Sequence, residues 1–345
     1  MKKIVFAFIL AVALQACQKE TPPVTLPTSS GVYVVNEGTF NFGNGEISFY
    51  NRATNEVTNN LFQAANHYSL GDIAESMFIK DSIAFIVVNN SAKIEVVKIP
   101  SLQKIKTISI AGSSPRYILP VNDSIAYVTE LYAKKIWVIN YIKSTVVTTI
   151  STQGWTENIC KIDNDIYVQQ EINTLLPSSF AAIIKINSSN YTTQYNNTFN
   201  GRNITGMVKD NLNRIWISVD EDAANNLHAG FYCFDRNLVE QKSFFFSDFN
   251  HHPSRLCTDA EGENLLFIDK DIFRFYINDN AVPLTKLISG AGENIYTMDI
   301  DPTNDDIYVS DALDYTQSSR IYRFDKNGGL IHSFTAGIIS GNFAF

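Results

Sequence analysis

A short apolar strand recurs about every 45 residues along this chain, and that period restricts the fold more than any other feature. KIEVVKI at Lys93, KIWVINY at Lys135, AIIKINS at Ala182, GFYCFDR at Gly230, IFRFYIN at Ile272 and RIYRFDK at Arg320 are six copies, and EISFYNR at Glu46 is a seventh. With Ile47, Ile94, Ile136, Ile183, Phe231, Phe273 and Ile321 taken as equivalent, the intervals are 47, 42, 47, 48, 42 and 48 residues. A second apolar strand precedes each copy, as in VYVVNEG, IAFIVVNN, IAYVTEL, DIYVQQE, RIWISVD, NLLFIDK and DIYVSDA, and two further strands can be traced per unit. No stretch shows a helical period over three turns. A lone four-stranded sheet cannot cover its own faces, whereas a ring of such sheets can, so the expected fold is an all-β, seven-bladed propeller. Residues 31–345 divide by seven into 45 per blade, which leaves no room for a second domain.

The two ends of the repeat do not match. The first unit has strands near residues 31, 46 and 56 but no innermost strand, while the last unit is complete and is followed by Asn342-Phe343-Ala344-Phe345. Pairing of these last residues into the first blade closes the ring and removes the open sheet edge.

Residues 1–16 read as a secretory signal, with Lys2 and Lys3 ahead of an apolar run from Ile4 to Leu14 that is too short to span a bilayer. The run ends in Leu14-Gln15-Ala16-Cys17, which resembles a bacterial lipobox, so lipidation is expected at Cys17 after cleavage. Gln18-Lys19-Glu20 resembles an export signal that places lipoproteins on the outer face in some Bacteroidetes. Residues 17–30 are rich in Pro, Thr and Ser and read as a tether. The expected location is the outer membrane, lipid-anchored and exposed at the cell surface. A formal charge of -8 without a basic stripe excludes nucleic acid as a partner.

In a propeller, the loops from the second to the third strand of a blade share one face with the loops that lead into the next blade. The opposite turns here are simple Asp- and Asn-containing ones such as Lys80-Asp81-Ser82 and Asp163-Asn164-Asp165. The first set is richer. It carries Asn36, Glu37, Phe40, Phe42, Asn89, Asn90, Arg116, Tyr117, Glu130, Tyr132, Trp155, Glu157 and Tyr315. Aromatic plates mixed with amides, carboxylates and an arginine suit a polar, partly flat small ligand, with apolar area for affinity and hydrogen bonds for orientation. The same Asn and Asp residues also serve loop backbone, and Arg116 is equally suited to a structural ion pair.

Catalytic signals are missing. No nucleophile elbow, phosphate-cradling loop or HExxH is present, so no enzyme, cofactor or metal site is expected. Adjacent His251 and His252 point to opposite sides of an extended chain, which lets one of them face the channel. Asp299, Asp301, Asp305 and Asp306 read as turn chemistry rather than a calcium site. Cys160, Cys233 and Cys257 match no zinc or redox spacing, and read either as buried free thiols or as one disulfide and one free thiol.

The stretch from Gly31 to Glu157, with VYVVNEGTFNFGNGEISFYN, GDIAES, IVVNNSAKIEVV, SSPRYILPV, AYVTELYAKKIWVIN and GWTEN, resembles the YncE-like propeller lipoproteins of Bacteroidetes. Among these are surface proteins that capture corrinoids such as cobalamin beside an outer-membrane transporter, and related ones serve siderophores and other cargoes. The resemblance is dense over three blades and loosens over the last four. It implies a corrinoid ligand and a transporter partner. Trp155, Tyr132, Tyr117, Phe40 and Phe42 would then cover ring faces or edges, and Asn36, Asn89, Asn90, Glu130 and Glu157 would bond peripheral amides. A protein-interaction scaffold with no small ligand is the alternative from a different class.

Overall fold

Alternating apolar residues give each strand two faces that both need cover, and stacking sheets around an axis supplies it. The computed structural model describes residues 31–175, 178–197, 199 and 201–345. The stretches expected to be a signal peptide and a tether, with Cys17, lie outside the described residues. Within them, 28 strands form seven four-stranded antiparallel sheets, each running in chain order from the axis outward except the first. Blade 2, for example, comprises Ala74–Lys80, Ile83–Val88, Lys93–Lys98 and Lys104–Ser109.

Blade 1 takes its innermost strand from the other end of the chain. Ser340–Ala344 pairs antiparallel with Gly31–Asn36, matching Tyr33 with Ala344, Val34 with Phe343 and Val35 with Asn342. The closing strand therefore starts two residues earlier than the sequence suggested, and Phe345 lies beyond it. Phe343 is buried between the first and last blades with Val34, Tyr50, Tyr308 and Phe334.

The core is divided in the same way as the sheet. Seven apolar clusters occupy the seven interfaces between neighbouring blades. The richest in aromatic rings lies between blades 5 and 6, where Trp216, Phe231, Phe244, Phe246, Phe267 and Phe275 meet. This explains why so many Phe and Tyr are present: flat rings fill the wedge between twisted sheets with strongly burying side chains.

One sequence expectation needs correction. In blade 6 the residue equivalent to Ile47 and Ile94 is Ile272, which is fully buried, and Phe273 sits one position out of phase on the other face. A one-residue slip turns a side chain to the opposite side of the sheet. A helix also occurs, at Leu61–Asn66. Asn60 before it offers no side-chain cap. Instead the Glu46 carboxylate, from a neighbouring strand, accepts from Phe62 N and Gln63 N. A helix of under two turns capped by a distant residue leaves no periodic trace in the sequence.

Cys160, Cys233 and Cys257 are free thiols. Burial pushes Cys160 and Cys233 up to about 12, so both are unreactive at neutral pH.

Ring closure is testable. Truncation after Gly341 removes the buried Phe343 and most of the pairing with Gly31–Asn36, and is expected to collapse the thermal transition, whereas Leu284→Ser, at a site 91% exposed, should leave it unchanged. The milder Phe343→Ala should cost about 3 kcal/mol, read from denaturant melts.

Candidate functional site

The innermost strand of every blade starts with an irregular step, at which its partner falls one residue short. The extra residue of such a bulge leaves the ladder and turns its side chain away from the regular sheet faces. In order around the ring, the residues that directly follow the last regular pair before this step are Glu75, Arg116, Glu157, Thr205, Arg255, Tyr296 and Gly341. All seven lie at the loop-face end of the central channel, so the bulges build a ring of functional groups at its mouth.

Three of the seven positions are charge-paired. Arg116 Nε donates to both Glu157 carboxylate oxygens at 2.9 Å, and its Nη1 donates to Glu75 on the other side. One guanidinium thus ties three consecutive blades together. Arg255 stands across the channel, with its guanidinium 5.6 Å from the centre of the Tyr296 ring. Gly341 contributes no side chain, and the Glu37 carboxylate occupies the space, with Oε1 2.1 Å from where a Cβ would be. Here glycine is required by close approach.

The mouth opens into a cavity of about 290 Å³ lined by Arg116, Tyr117, Glu157, Glu171, Thr205 and Arg255 among others. A second cavity of about 180 Å³ lies deeper, against Cys257, Asp299, Asn342 and Phe343, and shares Tyr117, Asn158 and Arg255 with the first. Burial raises the Glu37 carboxyl above its usual value, and raises Glu75 too although Arg116 opposes it. Burial, with Glu157 nearby, pushes Glu171 up to about 8. The Tyr117 phenol rises to about 12 and Tyr296 rises further, both through burial. Asp299 is lifted to about 6 by burial in the deeper cavity.

Another cavity, of about 260 Å³, lies between blades 6 and 7 on the opposite face. Its carboxylates hold turn backbone: Asp259 accepts from Glu263 N and Asn264 N, and Asp305 from Ala260 N.

The residues singled out in the sequence divide into three groups. Arg116, Tyr117 and Glu157 line the mouth. Glu37 joins them through Gly341. Asn36, Asn89 and Glu130 are buried and engaged by the fold. Glu130 accepts from Ser114 N, Tyr132 N, Ala133 N and Trp137 Nε1; Asn89 donates to Pro115 O; Asn36 accepts from Gly337 N and Ser340 Oγ. Gln170, Asp269 and Asp311 repeat the device in blades 4, 6 and 7, each taking a backbone N–H from the loop that leads into its own blade. Asn90 is tied to Asp72 and Asn41 within the loops.

The third group stands in solvent. Phe40, Phe42, Tyr132 and Tyr315 are 61%, 75%, 57% and 45% exposed, which makes them the four most exposed aromatic rings among the described residues, and all are on the loop face. Trp155 packs edge-on to Tyr132 with ring centres 6.4 Å apart, and its indole N–H is buried without an acceptor among the described residues.

His251 and His252 do not line the cavities. His251 is held by Asp269 at 2.6 Å and Asp248 at 3.1 Å and stacks on Phe246, and His252 contacts Asp220 at 2.7 Å. Among the described residues no group of three or more His, Cys, Asp and Glu is placed to hold a metal ion. The Asp299–Asp306 segment is a turn in which Asp301 pairs with Arg52 and Asp306 with Arg323. The residues missed as site candidates were Thr205 and the pairing of Glu75, Arg255 and Tyr296 with Arg116 and Glu157 as one ring. Aligning the starts of the inner strands, IAESM, SPRYI, WTENI, NITGM, PSRLC and NIYTM, puts these residues at one shared position without showing that this position enters the channel.

Two measurements check this account. Glu130→Ala should destabilise the protein by about 3 kcal/mol, because four buried or half-buried donors lose their acceptor. Folded Glu171 keeps a proton that the unfolded chain releases near its ordinary carboxylate value, so stability falls as pH rises between that value and about 8. The melting temperature of Glu171→Gln should fall less over that window than that of the unaltered protein.

Comparison with known proteins agrees on the fold. A quinoprotein alcohol dehydrogenase-like protein of Bacteroides thetaiotaomicron superposes with a TM-score of 0.67 at 11% identity, over 92% of this chain and 78% of that one. Hydrazine synthase of Kuenenia stuttgartiensis gives 0.61 at 12% identity over 85% and 95%. BamB of Moraxella catarrhalis gives 0.57 at 13% identity over 93% and 87%. Such identities establish shared architecture alone. No curated protein matches the sequence. A family defined as a domain of unknown function, DUF5074, matches residues 30–337, and the chain belongs to that family.

Proposed function

We propose that this protein is a lipid-anchored binding protein of the outer membrane that captures a small amphipathic ligand on its loop face and passes it to a transporter. The observation that carries this reading is the coincidence of the most exposed aromatic rings with the charged channel mouth on one face of the ring. Exposed rings offer flat apolar area at little conformational cost, and the mouth beneath them offers directed polar groups. A corrinoid is the specific candidate, from the resemblance of the first three blades. Its amide fringe would be met by groups not consumed by the fold. Asn36, Asn89 and Glu130 fall away from that role, and Arg255 and Tyr117 take their place.

Calorimetric titration with cyanocobalamin tests the ligand. The expected result is one site of micromolar or tighter affinity, with Tyr132→Ala and Phe42→Ala each weakening it about tenfold, equivalent to about 1.4 kcal/mol. No heat at micromolar concentrations removes the corrinoid. The anchor is tested separately: Cys17→Ser should abolish fatty-acid labelling and release the protein from the membrane fraction.

A further inference from the structure

The ring at the channel mouth is asymmetric in charge. Glu75, Arg116 and Glu157 neutralise one another on one side. On the other, Arg255 has Thr205 and Tyr296 as its ring neighbours, and among the described residues no carboxylate lies within ion-pair distance of its guanidinium and no hydrogen bond holds it. Its one close partner is the face of Tyr296 at 5.6 Å. A cation–π contact is worth about 2 kcal/mol at best and occupies none of the five guanidinium N–H donors, which the half-buried Arg255 keeps available to the cavity.

Arg255 is also well placed. It lines both the 290 Å³ and the 180 Å³ cavities, and so stands at the neck between them. Tyr117 lines both as well, and its phenol hydroxyl has no hydrogen-bond partner among the described residues. Two unengaged donors therefore meet in one space large enough for a group of several atoms. We infer that this neck holds an oxyanion, a carboxylate or phosphate group borne by the ligand, on Arg255 and Tyr117.

The surrounding acids permit it. Glu75 and Glu157 are occupied by Arg116, Glu37 is turned toward Tyr296, and Glu171 accepts from Gln169 Nε2 at 2.7 Å. Burial raises Glu37, Glu75 and Glu171, which reduces the negative charge the neck presents near neutrality. Asp299 faces only the deeper cavity. Guanidinium and phenol together form charge-assisted hydrogen bonds that a neutral amide does not match.

The inference adds a charge class to the ligand and rests on the loop face being the ligand site. The test is titration of the full-length protein with inorganic phosphate and, separately, with succinate, near neutral pH and up to about 10 mM, following binding by calorimetry. Saturable binding at one site is expected. Phosphate alone marks a phosphate-bearing ligand, succinate alone a carboxylate-bearing one, and both a general oxyanion neck. Arg255→Gln should weaken binding at least tenfold and Arg255→Lys less, with far-UV dichroism as the check of folding. If Arg255→Gln does not fold, Tyr117→Phe carries the test, with a weakening of about fivefold expected. If neither anion binds, the inference is overturned, as it is by an unchanged affinity in a folded Arg255→Gln or, failing that, in Tyr117→Phe. Cyanocobalamin separates the two ideas: anion binding without it removes the corrinoid and keeps the neck, and its binding without anions does the reverse.

Discussion

The antiparallel pairing of Ser340–Ala344 with Gly31–Asn36 is the constraint on which the rest depends. Each blade covers its faces with its two neighbours, so the ring gains its full burial only when the last interface forms. That interface needs Phe343 from one end of the chain and Val34 and Tyr50 from the other. Joining the ends costs the entropy of closing a loop of the whole domain, but that cost grows only with the logarithm of length. A buried apolar interface returns more. Closure also completes the site, since Gly341 on the closing strand leaves the space that Glu37 fills.

The bulges turn a structural scaffold into a functional mouth. A regular strand directs side chains into the interfaces between blades, where charge is expensive. One extra residue per inner strand escapes that rule, and the escape recurs at the same height in all seven blades. The loop face is then stabilised from below by the polar residues that end the second strands. Glu130, Gln170, Asp269 and Asp311 each hold the incoming loop, and Asn36 and Asn89 bond to Gly337 and Pro115 on strands of the neighbouring blades, so the aromatic rings above stand on fixed supports.

Legibility followed physical range. Strand periodicity, turn residues and the mismatch between the two ends are local or simply additive signals, and they led to seven blades and to ring closure. Phe40, Phe42, Tyr132 and Tyr315 were legible as rim residues because large apolar groups in polar loops have no local use. Asn36, Asn89 and Glu130 looked the same as ligand-binding groups, because a polar residue at a strand end is equally suited to a ligand and to a neighbouring backbone N–H. The helix at Leu61–Asn66 stayed hidden because Glu46, its cap, is remote in sequence.

The sequence by itself determined the number of blades, the strand order and which loops share a face, since these follow from a period and from chain continuity. Only the tertiary structure decided which residue of each inner strand enters the channel. A bulge is a property of two paired strands, two residues opposing one, and neither strand alone records it. For the same reason the contrast between Arg116, held by two carboxylates, and Arg255, left facing a cavity, became visible only once blades distant in sequence stood around one axis.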